Sequence, residues 1–144
     1  MTPAQPDAAT TTATDVVDVL VYSDDVTTRE QVRRAVGRRA AADLPRIRWT
    51  EAATHAGVVM KAHEGDFDLL VLDGEAAKVG GMAVARQLKT EMYKCPPVLV
   101  LTARPQDAWL ATWAQADAIV EAPIDPITIQ QAVADLLRRA GASR

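Results

Sequence analysis

Three short and almost uninterrupted apolar runs constrain the fold of this chain more than any other feature. They are Val16–Tyr22, Phe67–Leu72 and Pro97–Leu101, and each is rich in valine and leucine. Runs of this length and composition are typical of parallel strands that are covered on both faces. Two weaker strand patterns, Arg46–Thr50 and Asp117–Val120, are short or alternate with polar residues, which is typical of the edges of a sheet.

Helical patterns fill the intervals between these strands. The predicted helices are Val26–Ala41, His55–His63, Met82–Met92, Gln106–Gln115 and Pro126–Ala140. The last begins with proline in its first turn and ends near a glycine, as helices commonly do. A strand–helix unit repeated five times with right-handed crossovers predicts an α/β fold, a five-stranded parallel sheet with helices on both faces.

Composition limits what such a domain can be. The chain has 144 residues, of which 49% are hydrophobic, and a formal net charge of −3, so we expect one domain without a nucleic-acid footprint. Residues 1–15 are rich in threonine and alanine, and we predict a disordered tail there, followed by one domain over 16–141 and no output domain. The single cysteine, Cys95, excludes a disulfide framework. No apolar stretch approaches the length of a membrane span, so we expect a cytoplasmic protein.

Polar residues follow the strands at the edge where ligands bind in open α/β sheets. Ser23, Asp24 and Asp25 follow the first strand, Asp73 and Glu75 lie at the end of the third, and Thr102 ends the fourth. Carboxylates from two strand ends are stable together if they share a hard cation such as Mg²⁺. Such a set suits phosphoryl transfer to a carboxylate nucleophile. A glycine-rich phosphate loop is absent, which argues against nucleotide or flavin binding.

The chain resembles the receiver domain of bacterial two-component response regulators over about Asp18–Ala140. The segments that carry the resemblance are Val19–Asp25, Phe67–Asp73, Gly81, Val98–Ala103 and Ala122–Pro123. The resemblance implies the (βα)5 flavodoxin-like receiver fold. It also implies roles for individual residues: Asp73 is the phospho-acceptor position, Asp24 a metal-binding carboxylate, Glu75 a backbone carbonyl ligand of Mg²⁺, and Thr102 the switch hydroxyl.

The departures from that family point to weakened chemistry. Ser23 stands where the family has the first acidic residue, and Ala122 where it has a lysine just before proline. Ile119 replaces the aromatic switch residue, and Ala77 replaces a proline in the loop after the acceptor. Losing one charge-stabilising group typically costs about 10²–10³ in rate. We therefore expect a pseudo-receiver with weak Mg²⁺ binding and slow or absent phosphorylation.

A narrower resemblance concerns stand-alone response-regulator-like proteins of mycobacteria. It is carried by Tyr22–Asp24, Leu72–Ala76, Gly80–Met82, Cys95–Pro97 and Trp109–Trp113. This resemblance implies a protein partner of the kind of respiratory complex I (NADH dehydrogenase), reached from its cytoplasmic side, with the chain peripheral to the inner membrane through that partner.

Four residues are candidates for partner binding. Trp109 and Trp113 lie one helical turn apart, so they share a face that either packs into the core or anchors an interface. Arg33 and Arg34 belong to an arginine-rich helix together with Arg29, Arg38 and Arg39, which forms either a solvated face or a contact for an acidic surface.

Two functions remain open from the sequence. The first is a binding module without turnover of its own, an accessory or regulatory subunit of a larger assembly. The second is a phosphorylatable single-domain response regulator in a phosphorelay, with Asp73 as the nucleophile. A DNA-binding regulator fits poorly, because the chain has neither the charge nor the room for a helix-turn-helix domain.

Overall fold

The computed structural model describes residues 16–76, 80–104 and 114–142. Five strands alternate with helices along the chain. The strands are β1 (Val16–Tyr22), β2 (Arg46–Ala52), β3 (Leu69–Asp73), β4 (Val98–Thr102) and β5 (Ala118–Glu121). The described helices are α1 (Val26–Val36), α2 (His55–Glu64), α3 (Gly81–Glu91) and α4 (Pro126–Ala142).

The strands form one parallel sheet in the order β2-β1-β3-β4-β5. This confirms the predicted fold class, including the placement of the two weaker strands at the edges. Because the chain returns past β1 to reach β3, the order reverses beside β1. The carboxyl ends of β1 and β3 therefore flank the crevice in which ligands of such sheets bind.

Alternate side chains of the strands enter two separate cores, one on each face of the sheet. Val19, Val71 and Leu99 pack with α1 and α4, whereas Leu20, Leu70 and Val100 pack with α2 and α3. All residues of β3 and β4 are buried, as the uninterrupted apolar runs predicted. Two covered faces explain why these strands carry no polar alternation.

The first helix is shorter than predicted. It ends at Val36 rather than at Ala41, because Gly37 adopts a φ of 80° and its amide caps the carbonyl of Arg33. Beyond this point the chain must turn back to the edge strand, so the helix-favouring residues 38–41 lie outside regular structure. At the other end of the helix, the Asp25 side chain accepts a hydrogen bond from the Thr27 amide and so caps the helix.

The remaining elements agree with prediction to within two residues at most ends. Helix α4 extends through Gly141 to Ala142, so that glycine does not end it. The predicted helix Gln106–Gln115 falls mostly on residues 105–113, which lie outside the described part, as does the predicted tail. None of the described helices has the length and apolar character needed to cross a membrane.

Two carboxylates hold the amino ends of the strands together. The Asp68 side chain accepts a hydrogen bond from the Asp18 amide at 2.9 Å, and the Asp68 amide donates to the Asp18 carbonyl at 2.8 Å. The Asp117 side chain accepts hydrogen bonds from the Val98 amide at 2.8 Å and from Lys89 Nζ at 2.9 Å. These contacts fix the amino ends of the strands, which lie at the end of the sheet opposite to the predicted site.

Candidate functional site

Asp73 lies at the last position of β3 and is 93% buried, since only 7% of its surface is exposed. Its Oδ2 accepts a hydrogen bond from the Ser23 hydroxyl at 2.7 Å, and its Oδ1 accepts one from the Glu75 amide at 2.8 Å. No lysine, arginine or histidine of the described residues forms an ion pair with it. Asp73 is therefore a buried carboxylate that is held by neutral donors.

Backbone packing fixes the position of Asp73. Gly81, the first residue of α3, lies so close to β3 that a Cβ atom there would be 2.8 Å from the carbonyl carbons of both Leu72 and Asp73. Gly74 is equally confined, because its Cβ would lie 2.5 Å from the Leu101 carbonyl oxygen. Only glycine allows these approaches. The start of α3 therefore sits directly against the acceptor position.

Ser23 occupies the position directly after β1 and is fully buried. Its hydroxyl donates to Asp73 and accepts a hydrogen bond from the Asp25 amide at 3.0 Å. Its own amide donates to the Ala52 carbonyl at 3.2 Å. Ser23 thus ties the ends of β1, β2 and β3 together without adding charge.

Asp24 and Asp73 bring negative charge to the carboxyl ends of β1 and β3. Burial raises the pKa of the Tyr22 phenol, and the nearby charges of Asp24 and Asp73 raise it further. Both carboxylates therefore act on the same buried phenol. This proximity agrees with the prediction that the ends of β1 and β3 bring Asp24 and Asp73 to one place.

The residues present fit a tightly bound Mg²⁺ ion poorly. Mg²⁺ prefers an octahedral shell of oxygen ligands and is held in proteins mainly by carboxylates. The available donors are the carboxylates of Asp24 and Asp73 and the carbonyl of Glu75, because Ser23 supplies a neutral hydroxyl in place of a further carboxylate. In the described part of the chain, no three His, Cys, Asp or Glu side chains are grouped to hold a metal ion.

Thr102 ends β4 and is buried, at 2% exposure. Its hydroxyl exchanges hydrogen bonds with the backbone of Arg104, at 3.3 Å in each direction. The hydroxyl is therefore held by its own loop rather than by Asp73. The Glu75 side chain reaches the same loop, where its Oε2 accepts a hydrogen bond from the Ala103 amide at 3.3 Å.

Ala122 leaves open space beside Asp73. A cavity of about 510 Å³ lies between α1, the end of β4 and the segment that joins β5 to α4. Asp73, Glu75 and Thr102 line one side of it. The other walls come from Thr28, Gln31, Arg34, Ala35, Leu101, Ala103, Ala122, Pro123, Ile124 and Pro126.

Arg29 belongs to the site and was not predicted as a site residue. Its side chain is only 14% exposed, its Nε donates to Glu51 at 2.8 Å, and its Nη1 donates to the Ser23 carbonyl at 2.6 Å. The hydrogen bond from Arg29 lowers the pKa of Glu51, and Arg33 lowers it further. The available signal was the pairing of opposite charges: Arg29 lies one turn after the helix cap, and Glu51 lies at the end of the neighbouring strand.

The predicted partner-binding residues have different outcomes. Arg33 is partly engaged within the chain, since it forms an ion pair with Glu51. Arg34 is exposed and lines the cavity described above. Trp109 and Trp113 lie outside the described residues, as does Ala77, so their predicted roles stay predictions.

Comparison with known proteins decides the family. No protein-family model matches the chain. Two proteins of Mycobacterium tuberculosis, from strains CDC 1551 / Oshkosh and H37Rv and each described as an uncharacterized response regulatory protein, are 52% identical to it over 120 residues. The match spans 83% of this chain and 90% of each relative. The chain belongs to the response-regulator receiver family.

Solved structures agree with the receiver fold. The receiver domain of the Francisella response regulator 1452 matches with a TM-score of 0.72 at 18% identity, covering 85% of this chain and 98% of that one. The chemotaxis protein CheY4 of Vibrio cholerae matches with a TM-score of 0.68 at 20% identity, covering 84% and 98%. At such identities the likeness concerns the fold alone. Family and fold are confirmed, whereas the roles of individual residues and the association with complex I stay predictions.

Proposed function

We propose that this receiver-family protein is a protein-binding module, an accessory or regulatory subunit of a larger assembly that has no turnover of its own. The observation that carries the proposal is the environment of Asp73. On one side a neutral serine hydroxyl donates to the carboxylate at 2.7 Å, and on the other side Ala122 leaves a cavity. The site keeps the position of the acceptor, and no basic side chain of the described residues pairs with it.

Phosphoryl transfer needs two things from a site like this. The attacking carboxylate oxygen must be available, and cations must neutralise the charge that develops in the transition state. Here Asp73 is only 7% exposed, and no basic side chain of the described residues pairs with it. Two missing charge-stabilising groups, each contributing about 10²–10³ in rate, leave the reaction too slow for a signalling cycle.

The partner we propose is respiratory complex I, met on its cytoplasmic side. Support comes from the sequence resemblance to stand-alone response-regulator-like proteins of mycobacteria, which implies a partner of this kind. It also comes from an arginine-rich surface on a chain with a net charge of −3, where Arg34 and Arg38 are exposed. Arginine is the cationic side chain that protein interfaces favour.

Affinity purification from native cells tests this proposal. Tagged protein is recovered from gently solubilised membranes and analysed by mass spectrometry, beside the same cells with untagged protein. The proposal expects complex I subunits in stoichiometric amounts in the tagged sample only. Recovery of a histidine kinase, or of no complex I subunit, overturns the choice of partner.

A phosphorylatable single-domain regulator is the second candidate, favoured by one observation. Asp73 lines an accessible cavity together with the buried Thr102, so a small phosphodonor can reach both. Intact mass after incubation with acetyl phosphate and Mg²⁺ decides between the two functions, with Asp73→Asn as the control. Rapid stoichiometric phosphorylation that Asp73→Asn abolishes favours the second candidate and counts against the first.

A further inference from the structure

The cavity beside Ala122 has two kinds of wall. Two carboxylates belong to its lining, the buried Asp73 and the exposed Glu75. Most of its sides are apolar, formed by Ala35, Leu101, Ala122, Pro123 and Ile124 among others. A volume of about 510 Å³ is in the range of pockets that bind ligands, and far exceeds the roughly 30 Å³ that one water molecule occupies.

The carboxylates of Asp73 and Glu75 in the lining of this cavity favour a cationic ligand. Asp73 is buried without an ion pair in the described structure, and buried charges are normally paired because burial without a partner is costly. Arg34 lines the same cavity but forms no ion pair with Asp73 among the described contacts. Two carboxylates in the lining also disfavour an anionic ligand.

The apolar lining of the cavity favours a cationic side chain with an aliphatic stem over other cations. A metal ion would gain nothing from the apolar walls, and the oxygen donors fit it poorly. Lysine and arginine place an apolar stem along apolar surface and a charged head against polar groups. A guanidinium can also bind one carboxylate through two parallel hydrogen bonds.

We propose that this cavity receives a lysine or arginine side chain of a protein partner, whose charged head pairs with Asp73. The inference rests on the proposed binding function and identifies the contact that this function uses. The partner supplies the ion pair to Asp73 that no described residue of the chain supplies. Arg34, exposed at the mouth, then faces the backbone or an acidic neighbour of the inserted residue.

Binding of a capped amino acid tests the proposal without a known partner. Nα-acetyl-arginine methylamide is titrated into the full chain, and the backbone amide shifts of Glu75 and Ala103 are followed by NMR. The control ligand is the citrulline analogue, which has nearly the same shape and no charge. We expect the arginine probe to bind about tenfold tighter or more, since a charge-assisted hydrogen bond to a buried carboxylate is strong.

Variants locate the binding. Ala122→Lys fills the cavity with a lysine of the chain itself, and Asp73→Asn removes the charge, so each is expected to weaken the arginine probe about tenfold. Asp43→Asn makes the same chemical change at an exposed carboxylate that pairs with Arg138, and is expected to leave the affinity unchanged. Equal binding of the two probes, or arginine binding that survives both cavity variants, overturns the proposal.

The two proposals fail in different ways. If Ala122→Lys is folded and still recovers complex I as well as the wild type does, the cavity contact is wrong while the binding function stands. If the wild type recovers no complex I but its cavity binds the arginine probe selectively, the partner is wrong and the cavity contact stands. The amide spectrum of each variant shows whether it is folded.

Discussion

Asp73 lies at the carboxyl ends of the strands and Asp117 at their amino ends, and the two carboxylates have different hydrogen-bond partners. Asp117 accepts hydrogen bonds from a backbone amide and from Lys89, so its charge is matched inside the protein. Asp73 is more deeply buried and has only a hydroxyl and an amide as donors. Among the described residues, Asp117 therefore has a lysine as its partner and Asp73 has no basic partner.

This difference separates position from chemistry. Asp73 is held in place by the close approach of Gly81 and by Ser23, which are contacts that need no charge. The resemblance implies that the family has an acidic residue for Mg²⁺ at position 23 and a lysine at position 122, where this chain has serine and alanine. The described contacts therefore keep the position of Asp73 without a basic side chain that pairs with it.

Restoring an acidic residue at position 23 and a lysine at position 122 should produce the largest effect. The double variant Ser23→Asp/Ala122→Lys restores a third carboxylate for Mg²⁺ and a lysine beside the acceptor. We expect phosphorylation by acetyl phosphate with Mg²⁺ to accelerate about 10³-fold or more, and each single variant to give less. Intact mass over time measures the rate. Adding Asp73→Asn should remove all of the gain, and a double variant no faster than the wild type would contradict the comparison.

Disturbing the backbone support of Asp73 should have the next largest effect. Gly81→Ala places a methyl group 2.8 Å from two carbonyl carbons of β3, so either the helix or the strand must shift. We expect the free energy of unfolding to fall by about 3 kcal/mol, the upper end for overpacking. Chemical denaturation measures it. Gly141→Ala is the matched control, since a Cβ there meets nothing within 4 Å and should not destabilise the chain.

Removing each carboxylate in turn tests the comparison directly. Asp117→Ala leaves the Val98 amide and Lys89 without their acceptor, and should cost about 1–3 kcal/mol of unfolding free energy. Asp73→Ala should cost less, because it also removes a buried charge that has no cation and that lies near Asp24. Thermal or urea unfolding of both variants measures the difference. The opposite order of stabilities would show that Asp73 is as well compensated as Asp117.

The smallest effect concerns the ion pairs around Glu51. Its pKa is lowered by the hydrogen bond from Arg29, so its stabilising contribution is present above the ordinary carboxyl pKa of about 4.3 and is lost as pH falls through the lower folded value. Glu51→Gln should lower the unfolding free energy by less than about 1 kcal/mol at pH 7. The difference from the wild type should shrink below about pH 4.3, the ordinary carboxyl value. Glu64→Gln, at the exposed end of α2, is the matched control and should leave the free energy of unfolding at pH 7 unchanged.

The fold was predictable because its signals are local and repeated. Apolar runs such as Phe67–Leu72 mark strands covered on both faces, and their order along the chain determines a parallel sheet. The helix end at Val36 was not predictable from propensity, since residues 38–41 favour a helix and the return to β2 prevents one. Only the position of Gly37 indicated the end.

The sequence predicted which polar residues lie at the strand ends, but not the space between them. The strand ends identified Asp24, Asp73 and Thr102, and Ser23 and Ala122 were recognised as departures. The hydrogen bond from Ser23 to Asp73, the burial of Arg29 and the cavity beside Ala122 depend on distances between segments far apart in sequence. A single sequence carries no direct signal for such distances.

The hydrogen bonds of Asp68 and Asp117 at the amino ends of the strands have a mechanical consequence. They join β1 to β3 and β4 to β5 at the amino ends of the strands, so the strands are fixed to one another at that end of the sheet. A side chain that enters the cavity at the carboxyl ends of the strands should leave these hydrogen bonds in place. Amide hydrogen exchange should therefore be slow at Asp18 and Val98 in both the free and the occupied protein, while the carboxyl ends of the strands report on occupancy.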